Sequence, residues 1–513
     1  MTSVTSRLLT VLTVTGLALA PTAAAQVSDQ VQDSDQVIPD EALAAELQAD
    51  FESAQAVPSP DIQVTVQEGV VSLHGSVDTL LAKERAVHRA RLLKGVRSVI
   101  DLLAVAPSGI ADERITHEVQ AALLTDPATD AWQLDVTVAD GTVTLSGEVD
   151  SYAERTLAGT VAKGVRGVRG LANQVTVGYA LTRPDLEIRR DVEQRLHWDA
   201  RIDDHLVDVS VDDGRVSLSG VVGSASERAL TRANAWVAGV QDVRDDDLHI
   251  QWWAHDDDRR SDHRWVARTD DEVRRAVVDA MLYDPRVFSF EPEVVVDDGV
   301  VTLKGTVDSV KARRAAAEDA RNTAGVHRVN NLLDVVPGDP KPSDEAVASA
   351  ARDALARDVI VHDEDIAVTV DRRQVTLEGE VSSWFAREQA EDVVARLGGV
   401  TDIRNRLEVA YPIPIDTYTY HDWDPVLYGF DFDVRTIETR PDDEIREEIA
   451  QELWWSPFVD RDAVTIRVED GVATLSGTVD SWMERDAATE NAFEGGARRV
   501  VNQLVVSYAG SES

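Results

Sequence analysis

One short motif in this sequence could carry metal chemistry. His117-Glu118 begins like the His-Glu-x-x-His helix of zinc proteases, in which two histidines four residues apart bind the metal. Position 121 is alanine, so the second ligand is missing. The pair is therefore interpreted as part of a solvated helix face.

Two further clusters have the residue types of a binding site. A run of acidic residues and histidines could supply oxygen and imidazole ligands to a divalent cation: His255, Asp256, Asp257, Asp258, Asp262 and His263. Charge runs of this kind are more often solvated linkers. Gly164, Gly167 and Gly170 are evenly spaced, but they close a helix and enter a strand rather than opening a helix on a phosphate. The sequence therefore predicts no catalytic residue, no metal site and no cofactor.

The N-terminal segment and the composition indicate where in the cell the protein is located. Arg7, the apolar stretch Leu8 to Ala20 and three alanines before Gln26 are typical of a secretory signal peptide at 1–25, followed by a flexible leader at 26–38. The chain has no cysteine, which excludes disulfides, thiolate metal sites and a lipid-acceptor cysteine. No later stretch approaches the roughly 18 apolar residues of a membrane span. We expect a soluble, exported periplasmic protein without a lipid anchor, with an extracellular location as the alternative.

The charge is strongly negative. The 51 basic and 93 acidic residues give a formal net charge of -42, which repels nucleic acid and anionic lipid surfaces. Nucleic acid is therefore excluded as a partner. The scarcity of lysine fits either a salty environment or a GC-rich genome, and the sequence leaves both open.

A glycine-centred motif recurs along the chain. The string VSLHGSV at Val71 to Val77 has counterparts starting at Val143, Val216, Val301, Val375 and Ala473. The central glycines of the six copies are Gly75, Gly147, Gly220, Gly305, Gly379 and Gly477. A second set follows each of these after 19 or 20 residues, at Gly95, Gly167, Gly239, Gly325, Gly399 and Gly496. The chain therefore contains six internal repeats.

The two sets of glycines have different expected roles. The first set should allow a helix or a ligand to pack closely on the strand, and the second set should supply a positive φ where a helix ends. Six residues after each second glycine comes Asn or Asp, at Asp101, Asn173, Asp245, Asn331, Asn405 and Asn502. We expect this side chain to face inward and to hydrogen-bond the loop at the second glycine.

Each repeat predicts the same order of elements. An amphipathic helix is followed by two alternating strands around an Asp-Gly or Glu-Gly turn, then by a charged helix and a third strand. The fifth copy has Arg372-Arg373 at the turn, so its turn should be either different or strained and its hairpin weaker. The fold class is α+β, with tandem two-layer αββαβ sandwiches in which two helices cover a three-stranded mixed sheet.

The predicted modules are separated by two aromatic linkers. The modules lie at 39–106, 111–178, 184–250, 269–336, 342–410 and 441–508. The linkers at 251–268 and 411–440 divide the modules into groups of three, two and one.

The repeat resembles the BON domain family. The resemblance rests on the element order, the V-x-L-x-G-x-V strand and the G-V-x-x-V-x-N-x-L ending. It also includes a Glu-Arg pair early in the second helix, at Glu84-Arg85, Glu154-Arg155, Glu227-Arg228 and Glu484-Arg485. The resemblance implies a non-catalytic envelope protein, often induced by osmotic or other stress, whose modules bind phospholipid or other envelope components.

Three functions stay open. The first is multivalent binding of an envelope component, such as phospholipid or another envelope protein, by six weak sites. The second is peripheral phospholipid binding, and the third is metal-dependent catalysis in the linkers, which has the least support. Aromatic residues near linkers and helix starts are candidate ligand contacts, or they pack between modules: Trp252, Trp253, Trp384, Phe385, Trp423 and Trp482. Ligand identity, module orientation and oligomeric state are not determined by the sequence.

Overall fold

The computed structural model describes residues 38–52, 61–106, 108–126, 128–129, 133–178, 183–251, 254, 268–287, 292–337, 341–409 and 440–507. The predicted signal peptide and almost all of the leader lie outside these residues, as do nearly all of the two predicted linkers.

The described residues form six modules with the element order helix, strand, strand, helix, strand. The first helices span Asp40–Glu52, Asp112–Thr125, Asp185–Trp198, Asp270–Leu282, Asp344–Arg357 and Asp442–Trp455. The first strands span Gln63–Gln67, Leu134–Ala139, Val207–Asp212, Glu293–Asp297, Asp365–Asp371 and Val464–Glu469. The second strands span Val70–Val77, Thr142–Val149, Arg215–Val222, Val300–Val307, Gln374–Val381 and Val472–Val479.

The second helix and the third strand complete each module. The second helices span Leu80–Leu92, Tyr152–Lys163, Ala225–Asn234, Val310–Arg321, Trp384–Ala395 and Trp482–Glu494. The third strands span Ser98–Val105, Gly170–Asn173 with Thr176–Val177, Asp242–Ile250, Arg328–Val335, Asp402–Val409, and Arg499–Asn502 with Val505–Val506. Modules 3 and 6 also contain the short 3-10 helices Asp204–Leu206 and Arg461–Ala463.

Each sheet is mixed, which confirms the predicted fold class. The second strand lies in the middle, antiparallel to the first strand and parallel to the third. The parallel pairing requires a crossover, and the second helix provides it. Because both helices pack on one face of the sheet, the core of each module lies between that face and the helices, as shown by buried Val71, Leu73 and Leu47 in module 1.

Hairpin turns and helix caps follow from local sequence. In five copies an acidic residue and a glycine at the turn both have positive φ, as the tight turn of a twisted hairpin requires. In module 5, Arg372 and Arg373 adopt φ values of 49° and 63°, so the predicted strain is present. The second helices begin after a Ser or Thr whose hydroxyl accepts the N–H of the third helical residue, as Ser383 does from Ala386 at 3.1 Å.

Candidate functional site

The second helices of modules 1, 2 and 3 connect these modules in a closed group. Leu80, the first residue of the module 1 helix, is buried in the core of module 2. Tyr152, at the same position in module 2, stacks on Trp236 of module 3 with ring centroids 3.9 Å apart. The second helices of modules 3 and 1 pack against each other and close the group.

Modules 4, 5 and 6 repeat the arrangement. Val310 begins the module 4 helix and belongs to the core of module 5, and Trp384 of module 5 stacks on Phe493 of module 6 at 3.6 Å. The guanidinium of Arg321 in module 4 lies over the Trp482 ring of module 6, 5.8 Å from its centroid. The structure therefore groups the modules in space as three and three, because module 6 packs directly on modules 4 and 5. The predicted division into three, two and one concerns the positions of the two linkers along the chain, and nearly all of both linkers lies outside the described residues.

Backbone hydrogen bonds join the two groups in pairs. They connect module 1 with 6, module 2 with 5 and module 3 with 4: Lys94 N–H to Trp455 O, Arg166 N–H to Arg357 O, and Ala200 N–H to Asn322 O, each 2.9 Å. The ends of helices, whose last groups lack partners within the helix, supply these contacts. Every module thus contacts partners in both groups.

The candidate aromatic residues that the structure describes lie at contacts between modules. Trp384 stacks on Phe493, the guanidinium of Arg85 lies 3.8 Å from the centroid of the Phe385 ring, and Trp482 lies beneath Arg321. Trp252, Trp253 and Trp423 lie outside the described residues. For the three described side chains the structure shows packing between modules, and Trp384 also lines a cleft described below.

The first set of glycines has a different neighbour from the one expected. All six have positive φ, between 115° and 140°. A Cβ on Gly75 would lie 1.9 Å from the carbonyl oxygen of Asp61, and a Cβ on Gly379 would lie 2.2 Å from that of Asp365. The close neighbour of these glycines is thus the backbone at the start of the first strand rather than a helix. At Gly305 the nearest described atom is a side-chain carbon of Leu333 at 4.0 Å. Gly147, Gly220 and Gly477 meet the equivalent carbonyl at 2.0 to 2.1 Å.

The second set of glycines also has positive φ, between 88° and 97°. These residues, Gly95, Gly167, Gly239, Gly325, Gly399 and Gly496, lie two to five residues beyond the helix end, inside the loop. For five of them the expectation that they cap the helix directly is wrong, because the last helical turn closes earlier on residues such as Arg396. Gly496 does cap its helix, since the N–H groups of Gly496 and Ala497 donate to the carbonyls of Phe493 and Ala492 at 3.0 and 3.1 Å.

The Asn side chains bind a different element from the expected loop. The side-chain amide of Asn405 donates to the carbonyl of Arg387 in the second helix at 3.0 Å, and its oxygen accepts the N–H of Leu407 at 3.1 Å. Asn173, Asn331 and Asn502 make the same pair of contacts. These side chains fasten the third strand to the second helix.

The Glu-Arg pair has a structural role and a shifted register in module 1. Glu484 accepts the N–H groups of Asp460 at 2.9 Å and Asp480 at 2.8 Å, and burial raises its pKa to about 7. Glu84-Arg85 lies two residues later in its helix than the other pairs, since Lys83 occupies the place of the arginine there. The pair is thus not a common binding motif.

Sequence reasoning missed an aspartate that all six modules share. The first residue of each first helix accepts two hydrogen bonds from the N–H groups of the hairpin turn, as Asp442 does from Asp470 at 2.9 Å and Gly471 at 2.8 Å. The equivalent residues are Asp40, Asp112, Asp185, Asp270 and Asp344. A constant spacing of 28 and 29 residues to the turn was the signal in the sequence.

A cleft of about 530 Å³ opens where second helices from both groups meet. Residues of modules 1, 3, 4, 5 and 6 line it. Six carboxylates and two guanidinium groups lie on its wall: Glu318, Glu388, Glu452, Asp486, Glu490, Glu494, Arg89 and Arg201. Trp384, Trp455 and Phe458 add aromatic surface.

Buried charges join modules 1 and 6 beside this cleft. Arg89 forms ion pairs with Asp50 at 2.8 Å, Glu452 at 3.5 Å and Glu494. Burial, with the charge of Asp50, raises the pKa of Glu46 to about 8, and burial raises the pKa of Glu452 well above its usual range. Three carboxylates thus share one arginine, and Glu46 lies beside them as the acceptor of a hydrogen bond from Gln451. The contact is favoured when some of them are protonated.

Two groups of side chains have the composition of a metal site. Asp203, Asp204 and His205 lie together in module 3, and Glu46, Asp50 and Glu452 lie together between modules 1 and 6. The second group already surrounds Arg89. The acidic cluster from His255 to His263 lies outside the described residues. Within the described part of the chain, no helix has both the length and the apolar character needed to cross a membrane.

The repeated αββαβ sandwich, with helices between modules and sheets outside, defines a tandem-module protein. The BON domain model matches residues 39–107, 111–179, 184–251, 269–337, 343–411 and 441–508. These matches include most of the chain, and the chain belongs to the BON domain family.

A curated relative agrees with this membership. The chain is 36% identical over 143 residues to the osmotically-inducible protein Y of Escherichia coli (strain K12), a match that covers 26% of this chain and 71% of the relative. Two solved structures of CdsD, a structural protein of the type III secretion system of Chlamydia trachomatis, match at 18% identity and a TM-score of 0.12. These matches cover 39% and 42% of this chain and 89% and 100% of the CdsD chains. Likeness at that score carries no argument about module arrangement.

Proposed function

We propose that this chain is a non-catalytic protein of the bacterial cell envelope that acts in osmotic or envelope stress and binds an envelope component through several modules at once. The name of its Escherichia coli relative, an osmotically-inducible protein, supports the stress role. The predicted signal peptide supports a periplasmic location.

The arrangement of the modules is the observation that carries this proposal. The second helices lie between modules, so the uncovered faces of the sheets remain for a partner. On the first strand of module 1 the exposed residues are polar, namely Gln63, Thr65 and Gln67, and Asp208 and Ser210 are exposed likewise in module 3. The polar exposed residues of these first strands fit binding of a polar envelope component.

Fixed geometry makes several weak contacts effective. Once one sheet face has bound, the others are held at a high effective concentration near the same partner. Because the modules contact each other directly, less conformational freedom is lost on binding than with six modules on flexible linkers. This arrangement replaces independent modules with one multivalent surface.

A capture experiment tests the proposal. Immobilised mature chain is incubated with the solubilised envelope fraction, and the bound component is identified, purified and titrated back. We expect a triple variant, Gln63→Lys, Thr65→Lys and Gln67→Lys, to lower the apparent affinity by roughly tenfold or more through loss of one face. If the equivalent triple variants of all six sheet faces bound the component as tightly as the parent chain, binding through the sheets would be contradicted.

Peripheral phospholipid binding is the second candidate, and one surface favours it. Ile100 and Leu102 lie on the same outer face of module 1 and are 46% and 54% exposed. Exposed apolar side chains can enter a lipid interface, although the net charge of -42 opposes anionic lipids. Flotation with zwitterionic and anionic vesicles tests this, with Ile100→Ser/Leu102→Ser as the variant. Absence of binding to both vesicles at low and high salt would exclude it.

A further inference from the structure

The cleft between the two groups of modules has the charge of a cation site. Glu388 of module 5, Glu490 of module 6 and Glu318 of module 4 lie on its wall. Arg89 is paired with Asp50 and with two carboxylates of the wall, Glu452 and Glu494, and Arg201 is paired with Asp199 at 2.7 Å. Glu318 and Asp486 are paired with Arg286 and Arg321 at 3.4 and 3.6 Å. The six carboxylates of the wall still outnumber its two guanidinium groups, so the wall keeps an excess of negative charge.

Buried polar atoms on the cleft wall lack partners. The side-chain oxygen Oδ1 of Asn491 has no hydrogen-bond partner within the described residues, although Asn491 is only 8% exposed. The oxygen Oε1 of Glu494 also has no hydrogen-bond partner within the described residues, and the side chain of Glu494 is 6% exposed. Buried acceptors without partners are costly, so a donor from a ligand would satisfy both atoms.

Size and surface indicate the class of ligand. A cleft of about 530 Å³ is in the range that holds organic molecules, and is far larger than a single metal ion requires. Phe458 is half-buried and provides aromatic surface among the carboxylates. Trp384 also lies on the wall, with its ring stacked on Phe493. Ammonium groups pair with carboxylates and also bind aromatic faces, while methylene chains pack on apolar surface.

We propose that this cleft binds a linear organic polycation, in which several ammonium groups are separated by methylene chains. Carboxylates from modules 4, 5 and 6 would each receive one ammonium group, and the buried acceptors of Asn491 and Glu494 would receive N–H donors. Such a ligand would connect three modules and would stabilise their contact. This site is separate from the outer sheet faces, so it goes beyond the proposed envelope role.

Proton release should accompany binding. Burial, and next the charge of Glu490, raise the pKa of Glu388 to about 7, against the opposing effects of Arg85 and Arg387, with Glu391 raising it further. The pKa of Glu494 is also raised to about 7 by burial, with Arg89 opposing. At pH 7 these groups are therefore partly protonated, and a bound cation would lower their pKa values and release protons.

Isothermal titration calorimetry of the full mature chain with spermidine tests the proposal. It is run at pH 7 and low salt in two buffers of different ionisation enthalpy, which reports proton release. The variant Glu388→Gln/Glu490→Gln removes two charges from the cleft. The control Glu113→Gln/Glu380→Gln removes two charges from exposed positions elsewhere. Thermal melts of all three proteins verify that they are folded.

The proposal predicts saturable binding of about one spermidine per chain, with net proton release. The cleft variant should weaken binding by about tenfold or more, and the control variant should bind like the parent chain. Absence of saturable heat with spermidine would overturn the proposal, as would equal binding by the two variants. Equal affinity for magnesium chloride, measured in parallel, would also overturn it, because the site would then bind small cations without regard to their shape.

Discussion

Trp384 of module 5 and Phe493 of module 6 stack with ring centroids 3.6 Å apart and ring planes 10° apart. Trp384 is the first residue of its helix, and the equivalent Leu80 and Val310 lie in the cores of the following modules. One position in the repeat therefore makes the contact to the next module. The linker that precedes module 6 does not prevent this contact.

A double-mutant cycle tests that contact. Trp384→Ala and Phe493→Ala should each lower the free energy of unfolding, and together they should lower it by less than the sum. We expect a coupling of about 0.5–1.5 kcal/mol for a stacked pair. Urea unfolding of the four proteins measures it. Additive effects would show that the two rings do not interact in solution.

Glycine at the second turn position of module 5 should stabilise the protein. Arg373 holds φ at 63°, where a side chain costs about 1–2 kcal/mol, and its turn N–H can still bond Asp344 after substitution. Arg373→Gly should therefore raise the free energy of unfolding by about 1 kcal/mol. The reverse change in module 6, Gly471→Arg, is the matched comparison and should lower it. If Arg373→Gly did not raise the free energy of unfolding and Gly471→Arg did not lower it, the turn of module 5 would not be strained.

Alanine substitution at two glycines of module 5 should differ strongly in its cost to stability. A Cβ on Gly379 would lie 2.2 Å from the carbonyl oxygen of Asp365, whereas a Cβ on Gly398 would have no neighbour within 4 Å. Gly379→Ala should cost more than about 4 kcal/mol or prevent folding of module 5, and Gly398→Ala should change stability by about 0.5 kcal/mol at most. Circular dichroism melts compare them. Similar melting temperatures of the two variants would show that Gly379 does not lie so close to the carbonyl oxygen of Asp365.

The contact between modules 1 and 6 should weaken as pH rises. The pKa of Glu46 is about 8 in the folded chain and about 4.5 when unfolded, so the folded state holds the proton more tightly between these values. Its stabilising contribution is complete below about pH 4.5 and is lost as pH rises through 8.

Glu46→Gln should accordingly raise the melting temperature at pH 8 by several degrees and should flatten its dependence on pH. The substitution keeps a hydrogen-bonding group beside Gln451. Glu41→Gln, on the exposed side of the same helix, is the control and should change neither value. If the melting temperature depended on pH in the same way in Glu46→Gln and Glu41→Gln, the raised pKa of Glu46 would be contradicted.

The fold was predictable because its signals are local. Alternation, turn pairs such as Asp470-Gly471 and capping residues such as Ser481 each depend on residues close in the chain. Six copies strengthened every such signal, and the BON-like order of elements followed. The strained turn at Arg372 and Arg373 was predicted on the same grounds.

The cleft was not predictable because its residues come from five modules. Glu388, Glu452 and Glu490 meet only after the second helices pack in two groups, and no spacing in the sequence records that packing. Position 384 was singled out as aromatic, but its partner Phe493 was not. The roles of the Asn residues were misassigned for a related reason, because their partners lie 17 or 18 residues away in the helix.

Small-angle X-ray scattering of the mature chain tests the central claim, that six modules form one body, most directly. A globular chain of this length has a radius of gyration of about 23 Å, and we expect a value close to that with a bell-shaped Kratky curve. A radius roughly twice as large, with the profile of an extended string, would show that the modules do not pack on one another and would contradict both the joined groups and the cleft between them.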